Sequence, residues 1–182
     1  MSQNPYLAIA RNSIRSHFDG SVIDKASILQ LYPQMNIPKA TFVTLTLHGQ
    51  LRGCIGSLIA HRSFIDDLIS NSLSAAFQDP RFTPLTIDEF NKIKIEVSLL
   101  TEPKLVNYTD TVDLKSKIHV YEDGVIIRLG NHQATFLPQV WEELSNFESF
   151  FTHLGIKAGI GNDPLAHHPE VYTYQVEKIK ED

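Results

Sequence analysis

The chain has 182 residues, 42% of them apolar, with 16 Lys and Arg against 21 Asp and Glu for a formal net charge of -5. This length and composition suit one domain whose core needs neither disulfides nor metals, and the mild acidity argues against coating DNA or anionic membranes by bulk charge. The longest unbroken apolar run, Tyr6–Ala10, is too short to span a bilayer, no secretory signal pattern opens the chain, and Cys54 is the single cysteine, so a soluble cytoplasmic protein is expected.

Leu7, Ala10, Ile14 and Phe18 recur at spacings of three and four and predict a first helix, with Pro5 suited to its first turn and Gly20 to its stop. Thr41–Leu47 reads as a strand rich in β-branched residues, with Val43, Leu45 and Leu47 on one face. His48-Gly49-Gln50 turns it into a returning strand over Leu51–Leu58. Gly53 and Gly56 are locally unfavourable there and predict a bulge, a close backbone approach or a ligand. Ser63 and Asp66 cap a helix over Phe64–Phe77, which Pro80 limits, and Thr86 with Glu89 caps a short one.

The clearest strand is Lys92–Thr101, where Ile93, Ile95, Val97 and Leu99 alternate with Lys92, Lys94, Glu96 and Ser98. His119–Tyr121 and Val125–Leu129 are expected as a hairpin turning at Asp123-Gly124, and Gly130-Asn131 turns into His132–Phe136. Trp141 is expected to begin a helical stretch. Ser145 and Glu148 are expected to cap a helix carrying Phe150, Phe151 and Leu154, and Val171–Lys180 to close the fold as one strand. Hairpin signals outnumber crossover units, so the pattern predicts an α+β fold with a largely antiparallel sheet and flanking helices.

Three stretches carry a resemblance: Leu51-Arg52-Gly53-Cys54-Ile55-Gly56-Ser57-Leu58, Asp79-Pro80-Arg81-Phe82-Thr83-Pro84-Leu85, and Phe136-Leu137-Pro138-Gln139-Val140-Trp141-Glu142-Glu143-Leu144. With Ile95–Leu100 and Lys157-Ala158-Gly159, the chain closely resembles the AMMECR domain family over nearly its whole length. The resemblance implies a single domain over 1–182 made of a larger and a smaller lobe, with the arginine-glycine-cysteine stretch lining a cleft between them. It implies no established activity. It does imply a pathway shared with a Memo-like protein and a radical SAM protein, and regulatory or nucleic-acid roles have been suspected of animal members. This chain departs from the family pattern at Leu154-Gly155, where a second cysteine often follows the leucine, which weakens any two-thiol mechanism.

The leading expectation is a cleft that binds a small anionic ligand and acts on it. Arg52 and Arg81 would bind the charge, since a guanidinium fork suits carboxylate or phosphate. Gly53 and Gly56, with Ile55 between them, would bring backbone amides close, and Asp79 would sit beside Arg81. Cys54 would be the nucleophile, with Arg52, Arg81 or His61 as candidate neighbours, and Glu96 a general base if half-buried. Ser98, Gln139 and Lys157 complete the set as polar or cationic contacts. Each has a plainer reading: Cys54 and Trp141 as packing, the glycines as close contacts, Asp79–Arg81 as a structural ion pair, Glu96 and Lys157 as solvated. Eight histidines occur without HExxH or paired CxxC spacing, and no phosphate-cradling loop occurs, so no metal or cofactor is expected. The alternatives from other classes are a non-catalytic protein-binding adaptor and a nucleic-acid binder or modifier.

Overall fold

The structure, a computed structural model, describes residues 4–182. The chain divides into two compact units, one formed by residues up to Leu100 together with Glu177–Asp182, the other by Thr101–Val176. The fold is α+β.

The first unit begins with α1 (Pro5–Asp19) and α2 (Lys25–Leu31). Asn4 caps α1 by accepting from the Tyr6 N–H, and Gly20 ends it in the left-handed region at φ 71°. The strands β1 (Thr41–Leu47) and β2 (Gln50–Gly56) form a hairpin. Its turn holds His48 and Gly49 at φ 53° and 78°, the pair of positive angles that a tight hairpin needs. Next come α3 (Phe64–Phe77), capped by Ser63, and α4 (Ile87–Phe90), closed by a full capping box of Thr86 and Glu89. The strand β3 (Ile93–Leu100) pairs antiparallel with β1, and the sheet order is β2-β1-β3-β8, where β8 is Val176–Lys180. The helix α3 packs on β1 and β2, and α1 on α3 and β3. Their apolar stripes meet Val43, Leu45, Ile95 and Val97 in one core.

The second unit holds β4 (Lys104–Leu105), α5 (Thr111–Lys117), β5 (Gly124–Leu129), β6 (His132–Phe136), α6 (Phe147–Ala158) and β7 (Glu170–Tyr174). Its sheet order is β4-β7-β5-β6, with α6 against β5 and β6. The Trp141 ring is fully buried, stacks on Phe150 at 3.5 Å between ring centres, and donates its indole N–H to Asp123 O. Packing is therefore the role the structure gives Trp141.

Four expectations change. His119–Tyr121 is a turn, not a strand: Asp123 N–H and Glu122 N–H donate to His119 O, and Asp123 Oδ2 accepts from His119 N–H. Such local side-chain bonding competes with a ladder, and it outweighs the β-prone Val120 and Tyr121. The cap of α6 is Asn146, whose side chain accepts from Ser149 N–H, one residue beyond the expected Ser145. Trp141 lies in a 3-10 turn over Pro138–Glu142 rather than beginning an α-helix. Finally, Val171–Lys180 is two strands, since β7 and β8 belong to different sheets on either side of Gln175. Alternation continues through Gln175, but pairing partners change there, and periodicity carries no partner information. The sequence pattern also did not predict the helices α2 and α5 or the strand β4. Gly155, at the position where the family pattern often has cysteine, meets Gly161 O and Pro164 too closely for a Cβ without adjustment.

Candidate functional site

The register of β1 and β2 slips between Leu45 and Thr46, which pair with Gly53 and Leu51, so Arg52 is the extra residue of a bulge. A Cβ on Gly53 would lie 2.1 Å from Ala75 O of α3, and one on Gly56 would enter the Phe42 ring. Both glycines therefore admit close packing. Ile55 faces Val43 across the pair and packs on the first core.

The bulge sends Arg52 to Glu89. Its Nε and Nη2 donate to the two carboxylate oxygens, each at 2.9 Å, and Nη2 also reaches Thr83 O. Arg52 is buried, and this bidentate hold, helped by Thr86 N–H, pulls the Glu89 carboxyl down to about 2. The charge of Arg52 is thus spent inside the protein.

Arg81 is held differently. Asp79 is buried and accepts from Arg81 Nε at 3.0 Å, Arg81 Nη2 at 2.8 Å, Arg81 N–H, and Cys54 N–H at 2.9 Å. These donors, the guanidinium first, keep its carboxyl well below the usual carboxylate range. Arg81 Nη2 also donates to Cys54 O at 3.3 Å. The Arg81 side chain nevertheless remains 54% exposed, and among the described residues its Nη1 meets no hydrogen-bond partner. Asp79 first, and the Cys54 sulfur to a smaller degree, stabilise the Arg81 charge. The two arginines do come together: their guanidinium carbons lie 5.8 and 5.5 Å from the Phe82 ring centre.

Cys54 is half-buried, on the sheet face opposite the one that α3 covers. Its sulfur meets the Thr44 hydroxyl at 3.2 Å rather than the apolar side chains of Val43 or Leu45. Thr44 pairs on its other side with Glu96, so Cys54, Thr44 and Glu96 form one row across three strands. At about 4.8 Å per strand, Cys54 and Glu96 stand roughly 10 Å apart in backbone. Glu96 is half-buried and lies 3.8 Å from Lys178 Nζ of β8. Ser98 shares this face and is buried opposite Phe42. His61 bonds Ile59 O in its own loop. Among the described residues no three His, Cys, Asp or Glu side chains stand together as a metal site.

In the second unit Gln139 is exposed in the 3-10 turn. Lys157 donates to Thr135 O at 2.9 Å and sits 5.1 Å from the Phe136 ring centre, so it is fastened to β6. The sequence reading missed Thr44, Lys178 and above all Asp67. The buried Asp67 carboxylate accepts from Thr41 N–H and Oγ1, Ser57 Oγ, Arg62 Nε and Asn71 Nδ2. A capping pattern at Ser63 drew attention to Asp66 instead. The available signal for Asp67 was its place on the apolar stripe of a helix, where an acid must find donors.

No helix among the described residues is long and apolar enough to cross a membrane. The sequence profile of the AMMECR1 family matches residues 7–179. Protein Mbar_A1807 of Methanosarcina barkeri is 36% identical over 95% of this chain and 87% of its own. Protein MJ0810 of Methanocaldococcus jannaschii is 33% identical over 92% of this chain and 86% of its own. In fold, the chain is similar to the crystal structure of the uncharacterized protein PH0010 from Pyrococcus horikoshii, with a TM-score of 0.81 and 29% identity, covering 97% of this chain and 90% of that one.

Proposed function

The chain belongs to the AMMECR1 family, and from that premise we propose that it binds a small anionic ligand at Arg81, beside Cys54 on the sheet of the first unit. One observation carries the reading. A guanidinium fixed by a buried carboxylate through Nε and Nη2, on a side chain that stays 54% exposed, leaves Nη1 with no partner among the described residues. Such a group is oriented before the ligand arrives, so little side-chain entropy is lost on binding. Arg52, neutralised by Glu89, lies over the same Phe82 ring as Arg81. The proposed chemistry uses Cys54 as nucleophile with the Thr44 hydroxyl on its sulfur, and the proposed setting is the cytoplasm, in a pathway shared with Memo-like and radical SAM proteins.

The test starts with mass spectrometry of the natively isolated protein and titration calorimetry with inorganic phosphate and succinate. Binding should weaken by one to two orders of magnitude in Arg81→Ala, the loss of one charged contact of about 1.5–3 kcal/mol. Equal binding by the parent and Arg81→Ala proteins refutes the site. A protein partner retained through the same residues with no small molecule favours the adaptor reading.

A further inference from the structure

A cavity of about 630 Å³ opens in the first unit, where the start of α1, the residues after α4 and the facing ends of β3 and β8 meet. Neither Arg81 nor Cys54 lines it. Its size falls within the roughly 300–1,000 Å³ of small-molecule sites. Part of the lining is apolar: Leu7 and Ile93 are buried, and Ile179 packs on the first core. Successive strand residues point to opposite faces, so Ile93 and Ile179 turn inward and leave their neighbours Lys92, Lys94 and Lys180 exposed. Glu181 N–H donates to Ile95 O, and Lys94 Nζ donates to Asp182 O, which lays the end of β8 beside the start of β3. All three lysines line the cavity.

Two acids share that lining. Glu181 is neutralised from within: Oε1 accepts from Arg11 Nε at 2.8 Å, and Oε2 accepts from Arg11 Nη2 at 2.6 Å and from Ile95 N–H. Asp182 is exposed, and Lys94 is held by its carbonyl. Lys92 and Lys180 have no hydrogen-bond or ion-pair partner among the described residues. In a chain of net charge -5, three ammonium groups thus share a cavity where Asp182 is the one acid that Arg11 does not pair. Ammonium groups so gathered repel one another, and an anion between them relieves the repulsion.

We propose that this cavity binds a diphosphate group. A lysine is a point charge with three donors on a flexible stem, which suits the spread oxygens of a diphosphate, whereas a planar carboxylate favours the fork of an arginine. The group can be inorganic diphosphate or the diphosphate of a nucleotide. Asn91 also lines a neighbouring cavity of about 500 Å³ with Arg15, Phe18 and Ile87, so a nucleoside carried on the diphosphate has an adjoining, partly apolar place to rest.

The experiment titrates the full chain with inorganic diphosphate and with ADP, following the heat and the backbone amide NMR signals. The amides of residues 92–94 and 180–182 shift most. Lys92→Gln and Lys180→Gln weaken binding about threefold each and about tenfold together, as exposed charge pairs do. Asp182→Asn strengthens it by removing a like charge. ADP that binds more tightly than diphosphate, with the difference lost in Arg15→Ala, assigns the group to a nucleotide, and equal binding assigns it to inorganic diphosphate. Unshifted amides at 92–94 and 180–182 overturn the proposal, as does unchanged affinity in a double lysine variant whose melting temperature matches the parent. Shifts confined to residues 79–82 and abolished by Arg81→Ala also overturn it, because they place the anion at the other site. Loss of succinate binding in Arg81→Ala with diphosphate binding intact separates the two sites.

Discussion

Each unit fastens a cation to a strand at the outer edge of its sheet, and the two are neutralised in different ways. In the first unit Arg81 reaches Cys54 O while Asp79, buried beneath it, takes two of its donors. In the second, Lys157 reaches Thr135 O of β6, and its other contact is the Phe136 ring. The carboxylate makes the difference. A guanidinium paired through Nε and Nη2 keeps one orientation, whereas an ammonium on one carbonyl can turn about its flexible stem. Of the cations expected to meet an anion, then, Arg81 keeps an exposed side chain, Lys157 is fastened to Thr135 O, and Arg52 is taken up by Glu89 and Thr83 O. The cores differ in the same spirit. The first is mostly aliphatic, with Phe64 and Phe90 among its buried residues, and the second carries a larger aromatic share in Trp141, Phe147, Phe150 and Phe151.

The largest effect that would break this comparison is expected in the first core. Val97 is fully buried in β3, an internal strand, so Val97→Asp should cost more than about 4 kcal/mol and abolish its cooperative thermal transition by circular dichroism. A variant with an unchanged melting temperature would contradict the strand assignment. Trp141→Ala should cost about 3–5 kcal/mol through the cavity it leaves. The cost is read from chemical denaturation followed by circular dichroism, since Trp141 is the sole tryptophan and its fluorescence is lost in that variant.

Acid separates the paired cations from the unpaired one. Glu89 titrates near 2 when folded and near 4.5 when free, so the folded state holds the charged form more tightly. Its contribution is present in full above about pH 4.5 and is lost as pH falls through the folded value near 2, a total on the order of 3 kcal/mol. Glu89→Gln should flatten that part of the stability–pH curve. Retention of the full acid dependence would remove the Arg52 pair as its source.

Smaller still is the contrast at the edges. Arg81→Ala strands the Asp79 carboxylate with only backbone donors and should cost about 2 kcal/mol, whereas Lys157→Met gives up one hydrogen bond and about 1 kcal/mol. Equal costs in urea titrations would mean that the carboxylate does not distinguish the two sites. The finest measurement concerns Cys54. As a nucleophile it should react with iodoacetamide at pH 6 faster than a free thiol and be protected by phosphate, since an ordinary cysteine is almost wholly protonated there. Slow labelling that phosphate leaves unchanged would make it a packing residue.

Local chemistry was legible from residues alone wherever neighbours in sequence are neighbours in space. The alternation over Ile93–Leu99, the stripe of α3, the capping box at Thr86 and Glu89, and the turn at His48-Gly49 all rest on spacings of two to four residues, and the structure forms each of them. The antiparallel α+β class follows from those pieces, and the three motifs pointed to the family over nearly the whole chain. What the sequence could not assign is the partner of a buried charge. Arg52 and Glu89 are 37 residues apart, and Arg11 meets Glu181 across 170. Asp67 looked like an ordinary helix residue until Thr41, Ser57 and Arg62 closed around it. The closing strand divided at Gln175 for the same reason: alternation tells which face a residue takes, and only the assembled sheet decides which strand lies beside it. A charge buried by folding must be neutralised by whatever the fold brings within hydrogen-bond reach, so the tertiary structure, through Asp79 and Glu89, decided which arginine still faces outward.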